Sequence, residues 1–267
     1  MTERDTVAAG GGYGGDGYLL CGHGSRDLGA VAGFAAIARG LAPQLAGRPF
    51  AHGFMELAEP DLEAAVGTLA AAGATRILAI PGFLFAARHV REDLPRLLAA
   101  AAARHGVAWH LGRELGADPR LVDALAERAH IAAAGAVAAE PAARAGTGLA
   151  LVGAGSSDAG ANAALTTLAE EVRHALGFGD AIACYASVAS PPVGAAVEAL
   201  AARGFARVLL LPWFLTEGNL LRQARAEARA AAAGRVELAE AEVLGAHPLV
   251  LDTLAARAHA LAETPSP

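Results

Sequence analysis

Short apolar runs alternate with longer stretches of helical periodicity along most of the chain. Residues 18–21 (Y-L-L-C) form an apolar run that breaks off at Gly22. An apolar run of strand length that ends in glycine before a helical pattern reads as a buried parallel strand. Helical spacing follows over 28–45. A second strand is expected at 49–55 and ends at Glu56. Pro60 then opens a helix to residue 72, since proline suits a first helical turn, and Gly73 stops it. The run R-I-L-A-I-P-G-F-L-F at 76–85 is a third strand with its exit loop. His89 stands just before a helix over 90–105, a weaker strand covers 107–111, and Pro119 starts a helix that runs to residue 139. Strand and helix in alternation predict a parallel α/β sheet with helices on both faces.

The pattern then begins again. A strand at 148–152 leads into Gly153, Ala154, Gly155 and Ser156, which match 22–25 at an offset of 131 residues. That offset also sets Pro191 on Pro60, Gly204 on Gly73, Arg207 on Arg76 and Pro212 on Pro81. Nearer the ends, L-G-A-D-P-R-L-V-D-A-L-A-E-R-A-H (115–130) recurs as L-G-A-H-P-L-V-L-D-T-L-A-A-R-A-H (244–259) at an offset of 129. A register held through three strands and a final helix marks a duplication, and two copies make tandem α/β domains rather than a solenoid. The expected division is a tail at 1–16, an N-terminal domain at 17–139, a linker at 140–147, a second domain at 148–262 and a tail at 263–267.

The second copy gives an internal comparison. His23, Glu56 and His89 correspond to Ala154, Ser187 and Leu220. The scaffold recurs, but the groups that bind a cation or move a proton do not, and this favours a chemical role for them. With strands in the order 2-1-3, all three residues follow carboxyl ends of strands, the edge where open α/β sheets bind ligands. Two imidazoles and a carboxylate suit a divalent cation or a proton relay. They do not suit a closed structural zinc site, which needs a fourth ligand and closer spacing.

Composition narrows the function further. The 267-residue chain has a net charge of −6, and all 21 of its basic residues are arginine. A chain without lysine has no P-loop, and no G-x-S-x-G elbow occurs. Gly153-x-Gly155 lacks the third glycine of a dinucleotide loop. No basic nucleic-acid surface is evident. No apolar run is expected to reach the ~18 residues of a membrane span, and no secretory signal is visible. Cys21 and Cys184, inside apolar runs, argue against a disulfide framework and for the cytoplasm. His52 reads as a structural residue within its strand, and His247, which stands where the first copy has Asp118, as a helix N-terminal residue.

Three motifs together carry a resemblance: strand-H-G-S-R at 22–26, F-M-E-x-A-x-P at 54–60, and P-x-F-L followed by H-V-R-E-D-L-P within 81–95. The chain resembles the sirohydrochlorin chelatases, class II enzymes that insert cobalt or iron into a tetrapyrrole without ATP, in their long two-domain form. One departure is Ala87, where the family usually has glycine. The resemblance implies His23 and His89 as metal-site histidines and Glu56 as the acidic catalytic residue. The substrate's eight carboxylates imply contacts to Ser25, Arg26, Arg88, Arg91 and, from the second half, Arg222. It implies no cofactor beyond the substrate metal, a small-molecule tetrapyrrole as partner, and a monomer whose cleft between the halves holds the site. A carrier that binds metal or tetrapyrrole without turnover is the alternative. A binding module with no metal affinity is a third reading.

Overall fold

The computed structural model describes residues 15–85, 88–134 and 141–263, with the side chains of 88–90, 133–134 and 141–142 outside that description. Each half is a four-stranded parallel sheet. The first sheet comprises β1 (Gly15–Gly22), β2 (Phe50–Phe54), β3 (Ala74–Pro81) and β4 (Ala108–Leu111), in the order β2-β1-β3-β4. The second comprises β5 (Thr147–Gly153), β6 (Asp180–Tyr185), β7 (Arg207–Pro212) and β8 (Glu237–Glu240), in the order β6-β5-β7-β8. The helices are α1 (Leu28–Leu41), α2 (Leu62–Ala71), α3 (Arg88–His105), α4 (Pro119–Ala134), the short α5 (Pro141–Ala145), α6 (Ala159–Leu176), α7 (Val193–Ala202), α8 (Asn219–Ala232) and α9 (Pro248–Ala262).

Alternation along the strands sorts side chains to opposite faces of each sheet. In β1, Tyr18 and Leu20 enter one core while Leu19 and Cys21 enter another. In β5, Leu149 and Leu151 face the first of these cores while Ala150 and Val152 face a third. The core shared by β1 and β5 is therefore common to both halves. Two helices complete it by exchange. α9, from the second half, packs on β3 and α1 of the first, and α4, from the first half, packs on β7 and α6 of the second. Arginines that correspond in the repeat fasten the exchange: Arg257 of α9 donates to the Leu115 carbonyl at 3.0 Å, and Arg128 of α4 donates to the Leu244 carbonyl at 3.1 Å. The recurring segment at 115–130 and 244–259 is thus what ties the two sheets together.

Several boundaries differ from the sequence reading. α2 begins at Leu62, because Asp61 is the N-cap and its carboxylate accepts from the Ala64 amide at 2.7 Å. Pro60 lies ahead of the helix, its carbonyl accepting from the Phe54 amide. α3 begins at Arg88, so His89 lies in its first turn rather than before it. β1 begins at Gly15, where Asp16 pairs with Arg76 at 2.6 Å. Of the stretch expected as a linker, 141–145 is α5 and Thr147 opens β5, while residue 140 lies outside the described residues, as do 1–14, Ala87 and 264–267. His247 caps α9 by accepting from the Leu249 amide, as its place in the repeat implied. His52 packs its ring against Phe34 and Phe54 within β2.

One expectation needs correction. Leu28–Leu45, α1 with the 3-10 turn after it, does reach the length and hydropathy of a membrane span. Leucine, valine, isoleucine and phenylalanine, with six alanines, give it that hydropathy. Its large apolar side chains Phe34, Ile37, Leu41 and Leu45 are buried in the shared core, and Arg39 interrupts it. It is a core helix of the first half.

Both cysteines are buried, which raises the Cys21 thiol and pushes Cys184 up to about 12. The thiolate is the reactive form. A neutral-pH titration with an aromatic disulfide reagent should therefore label neither cysteine in the folded protein and both after unfolding. Rapid labelling of the native protein would contradict this burial.

Candidate metal-handling site

The site begins where β1 and β2 end. Parallel pairing continues past both strands: the Met55 amide donates to the Gly22 carbonyl at 2.9 Å, and the Glu56 amide donates to the His23 carbonyl at 3.1 Å. This close run depends on Gly24. Its φ is +93°, and a Cβ there would lie 1.7 Å from the Glu56 carbonyl oxygen. The two loops are thus zipped together at the backbone, and the side chains of His23 and Glu56 emerge side by side. His23 Nδ1 lies 3.6 Å from Glu56 Oε1, with both side chains substantially open to solvent. An accessible imidazole beside an accessible carboxylate can bind a cation or pass a proton without being sealed from its substrate.

The same geometry recurs in the second half without the chemistry. Gly155 has φ +87°, and its Cβ would lie 1.8 Å from the Ser187 carbonyl oxygen. Ala154 and Ser187 occupy the places of His23 and Glu56.

Between the halves lies a cavity of about 500 Å³, within the range of small-molecule sites. His23, Phe83 and Phe85 line it from the first half. Ala154, Ser187 and Leu220, the three residues that replace the candidate groups, line it from the second, together with Tyr185 and Trp213. Phe85 and Trp213 approach each other across the halves with ring centroids 5.7 Å apart. A second cavity, of about 140 Å³, also borders His23, against Ser25, Phe54 and Thr216. His23 thus borders two spaces, and the larger is walled by aromatic, leucine and small side chains.

Of the expected residues, the structure brings His23 and Glu56 together and places both at one sheet edge. His89 lies in the first turn of α3, just beyond the β3 exit, and its side chain, like that of Arg88, lies outside the described residues. Among the described residues no cluster of three or more His, Cys, Asp or Glu side chains has metal-holding geometry. Ser25 Oγ accepts from the Asp27 amide at 3.0 Å, so it shapes the loop. Arg26 is exposed and has no ion-pair partner among the described residues. Arg91 and Arg222 are engaged: Arg91 pairs with Asp158, and Arg222 with Asp27. Arg222's hydrogen bond holds the Asp27 carboxyl below its ordinary value, with the Ala30 and Gly29 amides helping.

Sequence reasoning missed these two aspartates and the aromatic wall of Trp213 and Phe85. A signal for the aspartates was present, since Asp27 and Asp158, like Arg91 and Arg222, stand 131 residues apart. Trp213 offered none, because Gly82 occupies its place in the first copy.

Comparison with known proteins follows the same lines. The CbiX family model matches residues 17–132 and, a second time, 148–261. The chain is 28% identical over 195 residues to a sirohydrochlorin ferrochelatase from Priestia megaterium, spanning 73% of this chain and 71% of that one. It is 25% identical over 233 residues to the sirohydrochlorin ferrochelatase of Bacillus subtilis, spanning 87% and 86%. A sirohydrochlorin cobaltochelatase from Methanothermobacter thermautotrophicus is 33% identical over 131 residues, 42% of this chain and 89% of the relative. The solved structure of SirB from Bacillus subtilis with Fe³⁺ superposes with a TM-score of 0.80 at 25% identity, over 93% of this chain and 96% of that one.

Proposed function

Because the chain belongs to the CbiX family of sirohydrochlorin chelatases, we propose that it inserts a divalent metal, Co²⁺ or Fe²⁺, into sirohydrochlorin without ATP, toward cobalamin or siroheme. The observation that carries this reading is that His23, with Glu56 3.6 Å from it, lines a 500 Å³ cavity that Ala154, Ser187 and Leu220 line from the other half. A catalytic half faces a half cleared of the same groups. The macrocycle enters that cleared space, with its flat faces against Trp213 and Phe85.

The chemistry exchanges two protons for one cation. The metal leaves part of its water shell for the imidazoles of His23 and His89, which hold such cations well yet release them. The ring offers four nitrogens, two of them as N–H. As the cation passes to those nitrogens, both N–H protons must leave, and Glu56, with His23 beside it, accepts them and returns them to solvent. Arg26 and Arg88 are the arginines assigned to the carboxylates on the ring edge, which a planar guanidinium can pair in bidentate fashion. No cofactor is needed beyond the metal that is itself a substrate. A single chain suffices, because its two halves supply both walls of the cleft.

The test of the ring's position is Ala154→Phe. The larger side chain would intrude on the proposed tetrapyrrole space while the His23 side stays intact. We expect the KM for sirohydrochlorin to rise at least about tenfold, as displaced contacts of a few kcal/mol do, with Co²⁺ binding to the protein alone unchanged. An unchanged KM would remove the macrocycle from this cavity.

A further inference from the structure

Each half reaches across the cleft with one arginine, and the two contacts mirror each other. Arg91 of α3 pairs with Asp158, and Arg222 of α8 pairs with Asp27. Both aspartates are helix N-caps. Asp158 accepts from the Gly160 amide at 2.8 Å; Asp27 Oδ1 accepts from the Gly29 and Ala30 amides at 2.8 and 3.3 Å. Each cap closes the loop that leaves the first strand of its half.

The loops differ in what they carry and in how they are fastened. The second-half loop carries Ala154 and is tied from within: the Asn162 side chain accepts from the Ser156 amide at 3.1 Å and donates to the Ser156 carbonyl at 2.7 Å. The first copy has Val31 at the position of Asn162, and a valine side chain makes no hydrogen bond. The His23 loop therefore lacks this internal tie, although it is the one that must hold a functional side chain still. Its outer end is held through Asp27. That carboxylate is 6% exposed, and its second oxygen is taken by Arg222, whose side chain is 49% exposed. The Asp27 amide in turn donates to Ser25 Oγ, so the line from Arg222 to the residues beside His23 is short and hydrogen-bonded throughout.

We propose that Arg222 is a positioning residue that fixes the His23 loop from the opposite half through Asp27. This rests on reading His23 as the side chain that handles the metal. It gives the second half, which has lost the candidate ligands, a part in the site beyond that of a wall. It also separates Arg222 from the arginines that grip substrate carboxylates, because its guanidinium is held by Asp27 and donates to Asn219 Oδ1 at 2.5 Å. Residues that orient a ligating group from behind typically change metal affinity on removal.

The test compares Arg222→Ala, Arg222→Lys and Asp27→Asn with the mirror variant Asp158→Asn. Asparagine still caps a helix, so both Asn variants remove an ion pair and keep the helix start. Two readouts are taken on the full chain: amide hydrogen exchange of residues 23–27 without metal, and calorimetric affinity for Co²⁺ alone. Arg222→Ala and Asp27→Asn are expected to speed exchange in 23–27 and to weaken Co²⁺ binding by about tenfold, with the KM for sirohydrochlorin little changed. Arg222→Lys should recover part of both effects, and Asp158→Asn should show neither. Unchanged exchange and Co²⁺ affinity in Arg222→Ala, with a raised KM for sirohydrochlorin, would overturn the proposal and return Arg222 to substrate binding. If the unaltered protein binds no Co²⁺, the metal reading of the site fails by itself, and the exchange data still decide whether Arg222 holds the loop.

Discussion

Replacing His23 by alanine is expected to slow metal insertion into sirohydrochlorin by about a hundredfold or more, the usual scale for losing a group that handles the proton or cation in the transition state. The fold should be untouched. His23 is partly open to solvent and lies in a loop whose backbone is hydrogen-bonded to Met55 and Glu56. Surface substitutions of this kind usually change stability by less than about 0.5 kcal/mol, so Tm should stay within about 2 °C of the unaltered protein. Sirohydrochlorin should still bind, because the aromatic wall of Trp213 and Phe85 remains. The check is a paired measurement of insertion rate and thermal melting. A variant that folds, binds the pigment and turns over normally would remove His23 from the chemistry.

Gly24→Ala is expected to damage stability and metal binding together. At φ +93° an L side chain is strained, and the new Cβ would lie 1.7 Å from the Glu56 carbonyl oxygen. Backbone must move, and the moving backbone carries His23 on one side and Glu56 on the other. A left-handed strain with a backbone overlap costs on the order of 2–4 kcal/mol, which corresponds to a fall in Tm of roughly 5–10 °C for a chain of this size. Gly155→Ala provides the control. Its Cβ meets the Ser187 carbonyl oxygen at 1.8 Å and its φ is +87°, so a similar loss of stability follows. Yet the loop it disturbs carries Ala154 in place of a histidine. Co²⁺ affinity should fall in Gly24→Ala and hold in Gly155→Ala, although both melt early. Equal affinities would mean that the zipped loops do not set the site.

Much of the fold was legible because hydrophobic burial writes a period into the chain. Buried parallel strands such as 18–21 and 149–152 are short apolar runs, and each alternates between two cores. The duplication was legible because glycine, proline and arginine recur at a fixed offset. The exchange of α4 and α9 was not. Both helices are amphipathic with an ordinary apolar face, and periodicity states that a face is buried without stating against which sheet. Helix starts were misplaced where the cap decided them: Asp61 draws the start of α2 past Pro60.

In the site, His23 and Glu56 could be paired from the repeat, because their loss in the second copy isolated them from the scaffold. The arginines divided in a way that composition could not reveal. In the sequence Arg91 and Arg222 stand among the expected substrate contacts, and only the closeness of the two halves brings each to an aspartate of the other. The aromatic wall was hidden for a related reason. Trp213 and Phe85 belong to different halves and meet only in the folded chain.

The central claim, that this cleft performs metal insertion rather than mere binding, is tested most directly by anaerobic absorbance spectroscopy of the purified protein with sirohydrochlorin and either Co²⁺ or Fe²⁺. The account predicts that the spectrum of the metallated ring appears faster than in the protein-free control with at least one of the two metals, and that His23→Ala and His89→Ala abolish the acceleration. A spectral shift on mixing that reports bound pigment, with insertion no faster than without protein, would contradict it and identify a carrier instead.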